Sequence, residues 1–235
     1  MLETRALSAG VTIEVVADGD GVFAANIEQQ IDEIWTAENA KRSSGLFNGP
    51  MLSFVSHEGN SIQARMTDYR HFLAQRRAQE LFDVLAIRPL AVSGLVSLGS
   101  KVAFGKRAGN TTQDANRWEL VPSGGLTPHA RDERGNISAK VQVLDELKEE
   151  LGIPESLVGS IRPFILVEDT VAHVIDIGFH IELSTSSSEV DAAMAGRSDE
   201  YTEVNWIDRS EIGQFCSTRD VIPVSLALLA GAAMR

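Results

Sequence analysis

Three glutamates lie close together in the segment DELKEELGI, residues 145–153, which has the pattern of a helix end. At about 100° per residue, the spacing of Glu146, Glu149 and Glu150 places all three on one face. The residues roughly opposite are apolar and should seat the helix while the acids stay free: Leu144, Leu147 and Leu151. Like charges at this spacing repel one another, and carboxylates with water are the ligands that Mg²⁺ prefers. The cluster predicts a divalent-metal site, and the alternative is a solvated acidic helix face.

A short apolar stretch and a glycine-rich stretch come before this helix, in WELVPSGGL at residues 118–126. The apolar stretch, which predicts a strand, contains Trp118, Leu120 and Val121. The residues that follow predict a turn that another group can approach closely: Pro122, Ser123, Gly124 and Gly125. A strand, a glycine turn, a loop and an acidic helix therefore form one unit.

This unit resembles the signature of the Nudix hydrolase superfamily, which runs Gly, five residues, Glu, seven residues, then Arg-Glu-apolar-any-Glu-Glu-any-Gly-apolar. The second half of the signature matches at Glu146, Leu147, Glu149, Glu150, Gly152 and Ile153. The resemblance implies an α/β/α sandwich with a mixed sheet, a bound Mg²⁺ or Mn²⁺, and hydrolysis of a nucleoside diphosphate linked to another moiety. It implies a metal-ligand role for Glu149 and Glu150, and a ligand or base role for Glu146.

The chain departs from the signature at two places. Asp145 stands where the signature has Arg, and an aspartate cannot supply the positive charge that usually orients the neighbouring glutamate. The loop between Gly125 and Asp145 is also longer than the signature by about six residues, so the first signature Glu has no assigned position. Asp132 and Glu133 lie in this longer loop and receive no role. These departures motivate a competing hypothesis, a degenerate module that binds a nucleotide sugar or a protein partner without cleaving it.

The chain is similar to one branch of the superfamily, the UDP-glucose and UDP-galactose pyrophosphatase type, which has a degenerate signature and an N-terminal extension. The supporting segments are IDEIWTAENAKRSSGLFNGP (31–50), TDYRHFL (67–73) and VAFGKR (102–107). This resemblance implies a UDP-sugar substrate that gives UMP and a sugar 1-phosphate, bound beside Gly124 and Gly125. It also implies that Tyr69 and Arg70 contact the uracil, ribose or diphosphate, and the alternative is a packed Tyr and a surface Arg. Because the signature specifies only the diphosphate chemistry, ADP-ribose, a dinucleotide or a coenzyme A derivative is the third hypothesis.

Basic residues near two predicted strands are candidates for phosphate contacts. Arg107 is the first candidate, and the others are Lys101, Lys106 and Arg117. Charges at strand ends are also commonly solvated, which is the alternative. In many relatives an acidic residue before a late strand supplies a metal contact or the base, and alignment on Asn205, Trp206 and Ile207 gives Glu200 this role. An ordinary loop acid is the alternative for Glu200.

Composition restricts the class of protein. The 235 residues are 43% hydrophobic and 23% charged, which is enough for one large domain or two small ones with a core. A net charge of −12 argues against nucleic-acid binding through a broad basic surface. Cys216 is the single cysteine, which excludes an intrachain disulfide. We expect no membrane span, and the segment MLETRALSAG lacks the features of a secretion signal, so we expect a cytoplasmic protein.

Hydrophobic periodicity predicts a small α+β extension over residues 1–87 and a Nudix domain over 88–235. The predicted helices, besides the acidic one, are NIEQQIDEIWTAENAKR (26–42), Tyr69 to Leu85, and VSLALLAGAAM (224–234). The predicted strand pairs are MLSFVSH (51–57) with SIQARMT (61–67), a pair within residues 88–107 joined near Gly99, and SIRPFILVEDT (160–170) with HVIDIGFHIEL (173–183). A further strand, VTIEVVAD, covers residues 11–18, and another ends at Val204 to Ile207.

Overall fold

The computed structural model describes residues 1–16, 23–42, 45–109, 111 and 114–233. The N-terminal elements are β1 (Leu2–Ala6), β2 (Thr12–Val15), α1 (Ala25–Asn39), β3 (Pro50–Glu58), β4 (Ser61–Asp68), α2 (Tyr69–Arg77) and α3 (Phe82–Leu85). Then come β5 (Leu90–Leu98), β6 (Lys101–Arg107), β7 (Trp118–Leu120), β8 (Ser123–Gly125) and α4 (Ala139–Leu151). The last elements are β9 (Val158–Asp169), β10 (Val174–Leu183), α5 (Ser187–Met194), β11 (Tyr201–Asp208), α6 (Ile212–Thr218) and α7 (Pro223–Ala233).

Eight strands of the described residues form one mixed sheet in the order β1-β9-β10-β5-β6-β11, with β7 beside β6 and β8 beside β5. Strands β5 and β10 run parallel, and the other pairs in this sheet are antiparallel. Helices cover both faces. Val92 and Val96 pack with Leu147 of α4, whereas Leu95, on the opposite face of β5, packs with Leu228 of α7. The predicted α/β class, with a mixed sheet between helices, is confirmed.

Residues from the N-terminal part form a second, three-stranded sheet in the order β2-β4-β3. The predicted pairing of MLSFVSH with SIQARMT is confirmed, because β3 and β4 are antiparallel neighbours. Helix α1 buries Ile31 completely, and α2 packs beside it. Strand β1 differs from the rest of this segment, since it joins the large sheet through β9. The division at residue 87 stays a prediction.

Most elements lie where periodicity placed them. Among the differences, the helix predicted at 26–42 ends at Asn39, and the predicted turn after Val121 is largely the strand β8. Residues 17–18 of the first predicted strand, 43–44 of the segment 31–50, and 234–235 at the C-terminus lie outside the described residues. Within the described part of the chain, no helix is long and apolar enough to cross a membrane.

Strand β5 pairs with β10 along one edge, and along its other edge it pairs with two strands in turn. Its first part, Ala91 to Ser93, pairs with β8, whereas only Ser97 and Leu98 pair with β6. The sheet therefore opens between β8 and the β6-β7 pair. Helix α4 lies near this opening, because it packs against both β5 and β8. This arrangement brings the glycine-rich strand next to the acidic helix.

Candidate active site

Helix α4 is fixed at both ends by residues suited to those positions. Ser138 caps the first turn by accepting a hydrogen bond from the backbone N–H of Val141, at 3.3 Å. Gly152 ends the helix in the left-handed conformation, with φ of 72°, which a glycine adopts without strain. Between these ends Leu147 and Leu151 are fully buried, as the apolar stripe predicts. The rotation of the helix, and thus the direction of its acids, follows from this packing.

The three glutamates of α4 lie in different environments. Glu149 is exposed, Glu146 is half-buried, and Glu150 is only 1% exposed. The expectation that all three acids stay free of the core is therefore wrong for Glu150. Its position follows from the helix rotation, because Glu150 lies next to the buried Leu151 and one turn after Leu147. A buried carboxylate is costly unless it is hydrogen-bonded or neutralised.

One carboxylate oxygen of Glu150 has two hydrogen-bond partners, and the other has none among the described residues. The backbone N–H of Ser123 donates to its Oε2 at 3.1 Å, and the hydroxyl of Tyr201 lies 3.3 Å from the same oxygen. The other oxygen, Oε1, is buried with no hydrogen-bond partner among the described residues. Burial raises the pKa of Glu150 well above its ordinary value, and the charges of Glu200 and Glu146 raise it further.

Glu146 fits against the glycine strand. A Cβ added to Gly124 would lie 2.1 Å from Oε1 of Glu146, so only glycine allows this approach. Gln142 donates a hydrogen bond to the same oxygen at 2.8 Å, and Gln142 itself accepts two hydrogen bonds from Thr127. Burial raises the pKa of Glu146 to about 7, and the nearby acids Glu149, Glu200 and Asp145 add to the rise.

A buried acid that the sequence interpretation missed, Glu119, lies beside this cluster. It is 2% exposed and forms an ion pair with Arg107. The hydroxyl of Tyr201, also buried, donates to Glu119 at 2.9 Å and thereby links it to Glu150. Burial raises the pKa of Glu119, and the Arg107 guanidinium acts in the opposite direction. The signal was a single acid between apolar residues in the strand WEL.

Glu200, predicted as a base or metal ligand, lies near the cluster but is less buried. Its Oε1 is 3.7 Å from the Arg107 guanidinium, and its side chain is 38% exposed. Its charge acts on both Glu146 and Glu150. The structure therefore brings Glu200, Arg107 and two of the three helix glutamates together. Asp145 is exposed and lies outside this group of contacts.

A cavity of about 760 Å³ opens beside the acids. Its lining includes Arg107, Glu119, Glu149, Glu200 and the strand of Ser123, Gly124 and Gly125. Glu146 and Glu150 contact that strand at Gly124 and Ser123. Tyr69 also lines the cavity, whereas the predicted binding residue Arg70 does not. Arg70 instead forms ion pairs with Asp32 and, at 3.2 Å, with Glu28.

Carboxylate oxygens are suitable donors for Mg²⁺ or Mn²⁺, and two features of the site fit such an ion. Glu150 has an unpaired buried oxygen, and neighbouring acids raise the pKa values of Glu146 and Glu150. A divalent cation would neutralise the carboxylates of Glu146 and Glu150. In the described part of the chain, however, no three His, Cys, Asp or Glu side chains converge closely enough to hold a metal ion.

The sequence matches no protein-family model and no curated protein. The fold is similar to the Nudix domain of Shewanella oneidensis NrtR complexed with ADP ribose, at 18% identity and a TM-score of 0.47, over 67% of this chain and 97% of that one. It is similar to a MutT protein from Methanosarcina mazei, at 19% identity and a TM-score of 0.44, over 60% and 90%. It is also similar to a bifunctional NMN adenylyltransferase/ADP ribose pyrophosphatase from Francisella tularensis, at 16% identity and a TM-score of 0.46, over 69% and 47%.

Proposed function

We propose that the chain is a Nudix-type hydrolase that uses Mg²⁺ or Mn²⁺ to cleave the diphosphate of a nucleoside diphosphate-linked substrate, with UDP-sugars as the first candidates. The observation that carries the proposal is the environment of Glu150, a buried acid with an unpaired oxygen beside Glu146 and next to a large cavity. A protein that buries repelling acids without neutralising them loses stability, so a cation is the expected partner. The signature-like spacing of the three α4 glutamates supports the same conclusion.

In this mechanism, Glu146, Glu149 and Glu150 would hold the ion, which would polarise phosphoryl oxygens and lower the pKa of a water molecule. Water attacks one phosphorus, a new P–O bond forms there, and the bond to the bridging oxygen breaks. For a UDP-sugar the products are UMP and a sugar 1-phosphate. Positioning and charge neutralisation supply most of the rate enhancement in such a reaction.

The residues around Glu146 suit it to the role of base. Gln142 occupies Oε1, which leaves Oε2 to take the proton of the attacking water. A base is most effective when its pKa lies near the working pH, and in the absence of metal, burial raises the pKa of Glu146 to about 7. Glu200 is the second candidate for this role. Arg107, held by Glu119, places positive charge at the wall of the cavity where a diphosphate would lie.

The test is a phosphatase-coupled assay over UDP-glucose, UDP-galactose, ADP-ribose and NADH, with and without Mg²⁺. We expect metal-dependent release of UMP from UDP-sugars by the wild type and none by Glu150→Gln. Glu58→Gln, an exposed acid at the end of β3, is the matched control and should retain activity. Turnover of ADP-ribose or NADH alone would change the substrate class. Nucleotide binding without turnover of any substrate would favour the non-hydrolytic module.

A further inference from the structure

One buried acid in the cavity wall is separate from the contacts of Glu119, Glu146 and Glu150. Asp176 of β10 is 6% exposed, and its Oδ1 accepts a hydrogen bond from the hydroxyl of Ser93 at 2.8 Å. Among the described residues, no other group donates to this carboxylate. Asp176 and Ser93 both line the cavity. A buried carboxylate with a single donor is costly, so a second donor from a ligand would stabilise it.

The walls around Asp176 suit a flat ring. Ala91 and Val174 lie on the neighbouring strand positions, and Met51 and Tyr69 face the cavity from the N-terminal part of the chain. The Tyr69 ring is held edge-to-face by Trp35, with centroids 6.3 Å apart and planes at 80°. A fixed aromatic ring and a thioether give a broad apolar surface with little entropy to lose on binding. Ring stacking or edge contact is the expected interaction.

The charges beside Asp176 select the polarity of the ligand group. Asp169 also lines the cavity and raises the pKa of Asp176, in addition to the larger effect of burial. Two acids would repel a phosphate or carboxylate from this part of the wall. A group that binds beside Asp176 must therefore be uncharged or cationic and must carry a hydrogen-bond donor.

Ser93 connects this point to the acid cluster. Its hydroxyl lies 3.4 Å from that of Ser123, its partner across β5 and β8, and the backbone N–H of Ser123 donates to Glu150. Asp176 and Glu150 are thus held in fixed register by adjacent strands. A ligand that spans the cavity would contact both.

We propose that Asp176, held by Ser93, forms a subsite that binds a planar nitrogen heterocycle by accepting a hydrogen bond from its ring or amino N–H. This inference rests on the proposed function, since it assigns the nucleobase half of that substrate to the part of the cavity that Asp176 and Tyr69 line. Asp176 is then a specificity-determining residue, and it takes no part in breaking the diphosphate. Removing the N–H from the ligand should weaken binding at least about tenfold, as expected for a hydrogen bond to a carboxylate.

The test measures binding and needs no turnover. Calorimetry with Mg²⁺ present compares UMP with 3-methyl-UMP, which lacks the ring N–H, and AMP with its N6,N6-dimethyl derivative. Wild type should prefer the unmethylated member of at least one pair by about tenfold or more. Asp176→Leu, which removes both acceptors, should abolish the preference, and Asp176→Asn, which keeps one acceptor oxygen without the charge, should reduce it. Asp191→Asn, an exposed acid of α5, is the matched control and should keep it.

Equal binding of both members by the wild type would overturn the subsite, even if neither Asp176 variant folds. A preference that persists undiminished in folded Asp176→Leu would overturn it as well. Methylation also adds bulk, so in Asp176→Leu the affinity for the methylated ligand must rise relative to the affinity for its parent. Turnover in the substrate assay without a preference would reject this subsite alone. A preference without turnover would reject the hydrolase and leave the subsite standing.

Discussion

Gly124 and Glu146 are in such close contact that a single methyl group on Gly124 would lie 2.1 Å from the Glu146 carboxylate. No real Cβ tolerates that distance, so one of the two groups must move. Glu146 is the one that can move by rotating its side chain, and it would then lose the position that Gln142 maintains. The glycine strand therefore sets where the candidate base lies.

Gly124→Ala should lower the turnover number by about a hundredfold or more, because a displacement of about 1 Å at a reacting group has an effect of this size. Steady-state kinetics on the substrate that the wild type cleaves fastest checks this expectation. Gly213→Ala is the control, since a Cβ there meets nothing within 4 Å. If Gly124→Ala keeps full turnover, Glu146 does not act from the position described here.

Stability should fall as pH rises in the absence of divalent metal. The pKa of Glu146 is 4.5 as an ordinary side chain and about 7 in the folded protein, so the folded state binds more protons between these values. The free energy of unfolding therefore decreases as pH rises through this window. Urea unfolding at pH 5, 6, 7 and 8 in EDTA measures the decrease. It should be smaller in Glu146→Gln, whereas an unchanged slope in that variant would contradict the assignment.

Glu150→Gln should make the metal-free protein more stable while it abolishes turnover. The substitution removes a buried charge whose Oε1 has no partner among the described residues. A gain of about 1 kcal/mol corresponds to a rise in Tm of about 2–4 °C for a chain of this size. Differential scanning fluorimetry at pH 8 measures the rise. Added Mg²⁺ or Mn²⁺ should raise the Tm of the wild type only, and an equal rise in the variant would place the ion elsewhere.

The Arg107–Glu119 pair should show strong coupling. Arg107→Met leaves Glu119 buried without its guanidinium partner and should cost about 3–5 kcal/mol of stability. The double variant Arg107→Met/Glu119→Gln should recover most of that loss, because the charge of Glu119 is then no longer buried without a partner. Urea unfolding of the two single variants, the double variant and the wild type gives the coupling energy. Additive effects would show that the pair contributes little.

Apolar patterns were sufficient to predict most helices and strands. Helix α4 buries one regular face, whereas β5 of the β5–β6 hairpin is a mostly apolar run that is buried on both faces. Strand β1 was missed because LETRA has no alternating apolar pattern: Leu2 is partly buried, and Glu3 to Ala6 are exposed. Its place depends on pairing with β9, which lies far away in the sequence.

Part of the candidate site was likewise beyond local patterns. The glutamates of α4 could be identified from spacing, but their unequal burial depends on how α4 packs against β8. Glu119 and Asp176 lie in apolar stretches of their strands, whereas Tyr201 begins the polar strand β11. The groups that contact these three residues come from distant segments. Arg70 shows the opposite case, since acids of α1 that sequence reasoning did not consider bind it.

Strand β1 covers the outer edge of β9, where Leu2 to Ala6 pair with Asp169 to Ile165. That edge belongs to a long strand whose residues from Phe164 to Val167 are buried. A fragment that begins at residue 88 would expose the unpaired N–H and C=O groups of this apolar edge. Exposed edges of this kind pair with other chains, so the fragment should aggregate through β9. We therefore expect the first few residues to limit pairing of this edge with other chains, independently of any part in binding or chemistry.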